Sequence, residues 1–178
     1  FWDLPKPTLI SYFLIPFSIP IMVRNFISQF FKKEKSLKIK TICVGNIYLG
    51  GTGKTPLANL IASKLKKKFK TAIIKKGYLD HVDEKRLLEK QNKVFFDKNR
   101  RTSLLKAIRN KFELAIFDDG LQDKKIDYDI KIVCFNSLSL AGNQLRLPSG
   151  PLRERLASLS KYDAVVIIGR NKDFKFVK

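Results

Sequence analysis

The chain has 178 residues, a length that suits one domain with its own core, and it carries 36 Lys and Arg against 16 Asp and Glu, a net charge of +20. Such a charge indicates a polyanionic partner, or else lysines that only form solvated faces, and composition leaves both explanations open. Because the sequence has no arginine-rich arm, zinc pattern or aromatic RNA-binding signature, an anionic membrane or a phosphorylated substrate is expected rather than nucleic acid.

The two cysteines, Cys43 and Cys134, each lie inside an apolar run that is typical of a strand. Such positions predict buried free thiols in a reducing compartment. Because no second cluster of ligand residues accompanies them, neither a disulfide nor a metal site is expected at either cysteine.

The first predicted element is an uncharged, apolar segment that spans Pro7–Val23 and ends before Arg24. If helical, it is about 25 Å long, short of the roughly 30 Å hydrocarbon core of a bilayer, and Pro16 and Pro20 would kink or break it. A basic run follows, formed by Lys32, Lys33, Lys35, Lys38 and Lys40. Three alternatives stay open: an interfacial anchor with the basic run on anionic headgroups, a single spanning helix, or an apolar helix docked on the domain or a partner.

A glycine-rich turn follows the first predicted strand, Thr41–Val44, and it reads Gly50-Gly51-Thr52-Gly53-Lys54-Thr55-Pro56. Backbone N–H groups of such a turn and of the helix after it point at an anion. Lys54 adds a positive charge, and the Thr55 hydroxyl can reach a magnesium ion. The turn therefore predicts that Gly50–Thr55 bind nucleotide phosphates, although Tyr48 stands where the strict pattern has glycine and an ordinary strand–helix turn is the alternative.

Apolar runs and helical patterns alternate along the rest of the chain. Helical patterns cover Leu57–Leu65, Leu104–Ile108 and Leu152–Leu159, and strands are predicted at Thr71–Ile74, Val94–Phe96, Leu114–Phe117, Ile130–Phe135 and Ala164–Ile168. The segment Lys75–Tyr78 is predicted to be a loop. The alternation indicates an α/β fold of the P-loop NTPase type, a mostly parallel sheet flanked by helices, with ligands at the carboxyl ends of the strands.

A second motif, Asp118-Asp119-Gly120, ends the apolar strand that begins at Leu114. A strand that ends in aspartate downstream of a phosphate loop is typical of a site for nucleotide-bound Mg²⁺. An Asp-Gly turn is the common alternative. Together with the glycine-rich turn, the motif predicts that Asp118 is a metal ligand.

A polar stretch, His81–Lys90, contains the adjacent carboxylates Asp83 and Glu84. Loop carboxylates are usually solvated, but one that lies near a phosphate site can serve as a general base. His81 is the one histidine of the chain, and we expect it to be a surface loop residue.

These motifs together resemble those of the tetraacyldisaccharide 4′-kinases, the lipid A pathway kinases of Gram-negative bacteria. Gly45–Pro56 is similar to the family's Gly-Asn-x-x-x-Gly-Gly-Thr-Gly-Lys-Thr-Pro, and Lys76–Tyr78 to its Arg-Gly-Tyr. Val82–Lys85 stands for Gly-Asp-Glu-Pro, and Asp118–Asp123 for Asp-Asp-Gly-Phe-Gln-His. Leu147–Glu154 matches Leu-Pro-Ala-Gly-Pro-Leu-Arg-Glu with one Ala-to-Ser change. The resemblance runs from the apolar segment nearly to the end of the chain.

The resemblance implies that the γ-phosphoryl group of ATP goes to the 4′-hydroxyl of a tetraacylated disaccharide 1-phosphate, giving lipid IVA at the cytoplasmic face of the inner membrane. ATP and Mg²⁺ are the implied cofactors. Lys54 would stabilise the transferring phosphate, Thr55 and Asp118 would hold Mg²⁺, and Asp119 would support the metal site. The acyl chains of the substrate imply that Pro7–Phe31 hold the site at the bilayer interface.

The same resemblance assigns further residues to the acceptor side of the reaction. Asp83 is the implied base for the sugar hydroxyl, with Glu84 beside it. Arg100 and Arg153 match arginines that contact phosphate or substrate.

The chain also departs from the family's pattern. Asp123 replaces the motif histidine, and the family continues past this chain's end into a smaller lobe that carries a histidine. Since Phe1 is not Met, we expect a fragment, with a membrane-associated segment at 1–38, a kinase core at 39–178 and little kinase activity by itself. The alternatives are a soluble P-loop NTPase of another type, or a non-catalytic basic module that binds membrane or nucleic acid.

Overall fold

The computed structural model describes residues 1–27, 34–35, 39–77, 92–123 and 125–169, with the backbone alone at 34–35. The helices are α1 (Leu9–Phe13), α2 (Ile19–Ile27), α3 (Lys54–Leu65) and α4 (Arg100–Arg109), with 3₁₀ helices at Ile15–Ser18 and Leu156–Lys161. The strands are β1 (Glu34–Lys35), β2 (Lys40–Gly45), β3 (Thr71–Lys76), β4 (Lys93–Asp97), β5 (Leu114–Asp118), β6 (Ile126–Asp127), β7 (Ile130–Asn136) and β8 (Ala164–Ile168).

Six of the strands form one sheet in the order β4-β3-β5-β2-β7-β8, and β1 pairs separately with β6. The pairs β2–β5, β3–β5 and β3–β4 are parallel. Helix α3 packs on β2, β3 and β5, and α4 packs on β3 and β4. The predicted α/β fold with a parallel sheet and flanking helices is therefore confirmed.

The central strands are buried along nearly their whole length, as in parallel sheets that helices cover. Residues Ile73, Ile116 and Phe117 are fully buried in this core. Cys43 and Cys134 are buried and neither forms a disulfide, which confirms the prediction of buried thiols. Because parallel strands end at a common edge, the residues that close β2, β3 and β5 are brought together there.

The chain divides into two compact units, and the boundary between them falls inside the glycine-rich turn and inside β7. One unit holds Phe1–Ile27, Asn46–Gly53 and the chain from Val133 onward; the other holds Ser28–Gly45 and Lys54–Ile132. The predicted division at residue 38 stays a prediction.

The N-terminal helices are docked in the first unit through small polar side chains spaced seven residues apart. Ser11 Oγ accepts a hydrogen bond from Asn143 Nδ2 at 3.1 Å, Ser18 Oγ lies 3.0 Å from Ser149 Oγ, and Asn25 Nδ2 donates to Arg153 O at 3.4 Å. Ser11 is 0% exposed. The polar side of the N-terminal segment therefore faces protein.

The apolar side chains of the same segment face outward. Leu9 is 88% exposed and Phe13 is 76% exposed, and the other exposed members are Ile10, Tyr12, Ile15, Phe17, Ile19, Val23, Phe26 and Ile27. Within the described ranges, no helix has the length and apolar character needed to cross a bilayer. The breaks in the helix coincide with Pro16 and Pro20, so the predicted interruption is confirmed.

The structure corrects two local predictions. Strand β3 runs on to Lys76, so Lys75 and Lys76 are strand residues rather than the start of a loop, because both continue the parallel pairing with β4 and Lys75 also continues that with β5. The helical pattern that was predicted from Leu152 begins only at Leu156, as a 3₁₀ helix, because Leu152 pairs in bridges with Tyr48 and Arg146.

Candidate functional site

Lys75 and Asp118 lie directly opposite each other at the ends of β3 and β5. Lys75 Nζ donates a hydrogen bond to Asp118 Oδ2 at 2.9 Å. The Asp118 side chain is 1% exposed and that of Lys75 is 11% exposed. A buried carboxylate is costly unless a counter-charge compensates it, so this ion pair explains why Asp118 is tolerated in the core.

Thr55, in the first turn of α3, completes a cluster of three side chains with this ion pair. Its hydroxyl donates to Asp118 Oδ2 at 2.8 Å and accepts from Lys75 Nζ at 3.3 Å. The other carboxylate oxygen, Asp118 Oδ1, is buried and has no hydrogen-bond partner among the described residues. The structure therefore brings the two predicted metal ligands together.

The cluster fits a magnesium ion better than it fits most other metals. Mg²⁺ prefers carboxylate and hydroxyl oxygens, and in nucleotide sites it takes one or two carboxylates and completes its shell with water and phosphate. Thr55 Oγ1 and the unpartnered oxygen of Asp118 are such ligands. Across the described part of the chain, no group of three or more His, Cys, Asp or Glu side chains could hold a metal by itself.

Asp119, the residue after β5, meets Lys54. Lys54 Nζ lies 3.8 Å from Asp119 Oδ1, close enough for an ion pair but too far for a hydrogen bond. The Asp119 backbone has φ = 61°, a left-handed conformation that aspartate tolerates better than most residues, and its N–H donates to Val44 O at 2.8 Å. The charge of Lys54 is thus held next to the second aspartate of the motif.

Arg100, the first residue of α4, braces the segment after β5. Its guanidinium donates through Nη2 to the Asp119 carbonyl, and Nη1 lies 3.7 Å from Asp123 Oδ2. Asp123, which stands where the motif has histidine, therefore serves as a counter-charge for Arg100. The structure gives Arg100 contacts to the motif that the sequence did not predict.

Because Gly120 has no side chain, the phenol of Tyr128 and the thiol of Cys43 can pack closely against its backbone. A Cβ at this position would lie 2.7 Å from Tyr128 Oη and 2.8 Å from Cys43 Sγ. Tyr128 Oη donates to the Gly120 carbonyl at 3.1 Å. Burial raises the pKa of both the Cys43 thiol and the Tyr128 phenol, so both stay neutral at physiological pH.

In the other unit, the glycine-rich turn is shaped by Asn46. Asn46 Nδ2 donates to Tyr48 O at 2.5 Å and to Gly50 O at 3.2 Å. Gly53 has φ = 78°, and a Cβ there would lie 2.6 Å from Ile168 Cδ1. The left-handed backbone therefore favours glycine at the last position before Lys54, and a larger residue would also have to displace the end of the Ile168 side chain.

The structure does not test the roles of the remaining predicted residues. Arg153 lies in the unit that holds the turn, where its N–H donates to Ile47 O at 2.7 Å. Asp83, Glu84 and His81 lie outside the described residues. The roles of these four residues stay predictions.

Sequence reasoning missed Lys75. The residue follows the three apolar strand residues Ala72–Ile74 and precedes another lysine, a pattern that is also typical of the start of a basic loop. The available signal was its register: a charged residue at the carboxyl end of one parallel strand can meet Asp118 at the end of the next.

Comparison with known proteins decides the family. The family model for Tetraacyldisaccharide-1-P 4′-kinase matches residues 10–177. The chain belongs to the tetraacyldisaccharide 4′-kinase family.

Members of the tetraacyldisaccharide 4′-kinase family are similar in sequence to this chain over nearly its whole length. It is 49% identical over 181 residues to the tetraacyldisaccharide 4′-kinase of Pelagibacter ubique, covering 100% of this chain and 57% of that protein. It is 35% identical over 199 residues to that of Francisella tularensis subsp. novicida, covering 97% of this chain and 62% of that protein. The chain thus spans about three fifths of the length of these relatives.

Solved structures agree with the family at the level of the fold. The crystal structure of the family member from Aquifex aeolicus, in complex with ATP, matches with a TM-score of 0.80 and 28% identity over 96% of this chain and 62% of that one. The 54 kDa signal recognition particle protein of Aeropyrum pernix, in complex with GDP, matches with a TM-score of 0.56 at 14% identity, over 94% of this chain and 44% of that one. The second match supports only the P-loop NTPase-like fold.

Proposed function

We propose that this chain is the nucleotide-binding part of a kinase that phosphorylates the 4′-hydroxyl of a tetraacyldisaccharide 1-phosphate with ATP, giving lipid IVA. One observation carries the proposal: Thr55 and Asp118, from the two motifs of a phosphate-transfer site, share a hydrogen bond of 2.8 Å in a member of this kinase family. The two residues are 63 positions apart in the sequence, yet their side chains meet at one buried carboxylate oxygen. Such a meeting is expected when the two motifs form one functional site.

ATP and Mg²⁺ are the cofactors we propose. Gly50–Gly53, with Lys54 and Thr55, would surround the phosphates, as backbone N–H groups at a helix N-terminus do in other nucleotide sites. Thr55 and Asp118 would hold Mg²⁺, which when bound neutralises charge on the phosphate oxygens. The support is the donor set: a hydroxyl oxygen beside a buried, unpartnered carboxylate oxygen.

Lys54 and Asp119 form the pair that we propose for handling the transferred group. Lys54 Nζ lies 3.8 Å from Asp119 Oδ1, a loose contact that an incoming phosphate oxygen can replace without breaking a short hydrogen bond. Arg100 donates to the Asp119 carbonyl and so holds the backbone from which this side chain extends. Lys54 would then stabilise developing phosphate charge while Asp119 supports the metal site.

We assign recognition of the acceptor to residues that match the motifs of the family. Asp83 would accept the proton of the sugar hydroxyl, with Glu84 beside it, as a positioned carboxylate can in phosphoryl transfer. Arg153 and Arg100 would contact phosphate groups of the substrate or nucleotide. For Arg100 this requires exchange of its present partner Asp123, 3.7 Å away, for phosphate.

The acceptor is a lipid, and we propose that the N-terminal segment holds the protein at an anionic membrane surface, at the cytoplasmic face of the inner membrane. The support is its reversed polarity: Ser11 and Ser18 face protein while Leu9, Phe13 and Phe17 face outward. Exposed apolar side chains beside a protein of net charge +20 suit an interface with anionic lipid. Nucleic acid is not among the partners we propose.

The nucleotide part of the proposal is tested by isothermal titration of the purified protein with ATP and Mg²⁺. Lys54→Ala should weaken binding at least about tenfold, since a charged hydrogen bond contributes roughly 1.5–3 kcal/mol. Lys106→Ala, which removes the same charge from an exposed ion pair on α4, should leave affinity within about twofold. Equal affinity of the wild type and the Lys54 variant would contradict the proposed role.

A further inference from the structure

The Lys75 ammonium lies against the two side chains that would hold a metal ion, those of Thr55 and Asp118. It donates to both oxygens of the shared hydrogen bond, at 2.9 Å to Asp118 Oδ2 and 3.3 Å to Thr55 Oγ1. The unpartnered Asp118 Oδ1 and Thr55 Oγ1 are the atoms that a metal ion would use, so that ion would lie beside an ammonium group that already contacts Thr55 Oγ1 and the other oxygen of the same carboxylate. The register of β3 and β5 places the ammonium there, since Lys75 is the direct partner of Asp118.

The consequence is a competition between two cations for one buried carboxylate. Two positive charges a few ångströms apart in a poorly solvated site repel each other strongly. Asp118 is 1% exposed, so bulk water screens this repulsion little. As long as the Lys75 ammonium stays against Thr55 and Asp118, its charge therefore opposes the binding of a metal ion to them.

We propose that Lys75 is a built-in counter-ion that keeps divalent metal off Asp118 until nucleotide arrives. Nucleotide phosphates add negative charge and further oxygen ligands, so the metal and the displaced ammonium both gain partners when ATP binds. Metal binding to the free protein is then weak, and metal and nucleotide bind with positive cooperativity. The inference rests on the proposed Mg–nucleotide site and adds to it the residue that couples the two ligands.

The direct test is Mn²⁺ binding to nucleotide-free protein, followed by the loss of the free Mn²⁺ signal in electron paramagnetic resonance. Lys75→Met removes the charge and keeps most of the length of the side chain, and it should bind Mn²⁺ at least about tenfold more tightly than the wild type. Lys98→Met removes a charge from an exposed loop position and should match the wild type. Adding Asp118→Asn to Lys75→Met should abolish the gain.

Equal Mn²⁺ affinity of the wild type and Lys75→Met would overturn the inference, and so would a gain that survives Asp118→Asn. If Lys75→Met does not fold, Lys75→Gln replaces it, because the amide can still donate to Asp118 without carrying a charge; the same tenfold gain is expected and the same equality would overturn the proposal.

A second measurement needs no substitution. The ammonium ¹H–¹⁵N resonance of Lys75 should be visible in the nucleotide-free protein because the group is buried, and it should shift when Mg²⁺ and ADP are added together but not when Mg²⁺ is added alone at the same concentration. A resonance that stays unchanged although Mg–ADP binds, or that shifts in the same way with Mg²⁺ alone, overturns the inference. Failure of the proposed function has a different signature, namely that neither the wild type nor any variant binds Mg–nucleotide.

Discussion

Lys75 and Asp118 face each other across two parallel strands and form an ion pair of 2.9 Å at the edge of the sheet where nucleotide sites form. The positive charge of Lys75 compensates the cost of burying the Asp118 carboxylate, which is almost wholly inaccessible to solvent. The ion pair also places the positive charge of Lys75 beside Thr55.

Removal of the Lys75 charge should destabilise the protein in the absence of divalent metal. Added metal should restore part of the lost free energy of unfolding. Lys75→Met leaves Asp118 uncompensated, which for a buried pair costs about 3 kcal/mol. Urea unfolding with EDTA should show this loss, and millimolar Mg²⁺ should restore more stability to the variant than to the wild type. An equal effect of Mg²⁺ on both proteins would contradict the prediction.

The space around Gly120 predicts a destabilising substitution. Gly120→Ala places a methyl group 2.7 Å from Tyr128 Oη and 2.8 Å from Cys43 Sγ, and such overpacking costs roughly 1–3 kcal/mol. Gly51→Ala is the matched control, because within the described residues no heavy atom beyond its chain neighbours lies within 4 Å of a Cβ there. Urea denaturation should separate the two variants, and equal midpoints would show that the packing at Gly120 is looser than described.

The burial of Cys43 predicts a dependence of stability on alkaline pH. Burial raises the pKa of this thiol above its ordinary value of about 8.5, so above that pH the unfolded chain releases a proton that the folded chain keeps. The Cys43 contribution to stability is therefore complete below about pH 8.5 and falls as the pH rises, by up to about 1.4 kcal/mol per pH unit.

Cys43→Ala removes this titration and should flatten the decline. The measurement is the free energy of unfolding between pH 7.5 and 10 for both proteins, in which the difference between them should shrink or reverse with rising pH. Parallel curves would mean that the thiol titrates alike in the folded and unfolded states.

The outward-facing apolar side chains of the N-terminal segment predict binding to lipid vesicles. The double substitution Leu9→Glu, Phe13→Glu should lower binding to vesicles of anionic phospholipid at least about tenfold, since each apolar side chain contributes roughly 1.5–3 kcal/mol when buried. Leu138→Glu changes an equally exposed leucine elsewhere and should have little effect. Co-sedimentation measures both, and equal binding of all three proteins would remove the segment from the proposed interface.

The parts of the site that could be predicted from sequence are those that short motifs carry. Thr55 follows the glycine-rich turn directly, and Asp118 ends an apolar strand, so each was visible in a window of a few residues. That their side chains meet at 2.8 Å followed from the parallel sheet, which the alternation of strands and helices predicted.

Contacts that depend on register or on distant partners could not be predicted in this way. Lys75 meets Asp118 because β3 continues two residues beyond its apolar run. No local sequence pattern predicts that extension. Composition identified the N-terminal segment as apolar. The hydrogen bonds of its inward-facing Ser11, Ser18 and Asn25 could not be predicted, because their partners lie more than one hundred residues away in the sequence.

The central claim is that this chain belongs to a lipid kinase whose phosphate transfer depends on Lys54. The most direct measurement uses the protein in its native length, radiolabelled ATP and tetraacyldisaccharide 1-phosphate in detergent micelles, with wild type, Lys54→Ala and the matched Lys106→Ala. We predict label in the 4′-phosphorylated lipid for the wild type and Lys106→Ala, and at least about a tenfold lower rate for Lys54→Ala. No labelled lipid with the wild type, or an equal rate with Lys54→Ala, would contradict the account.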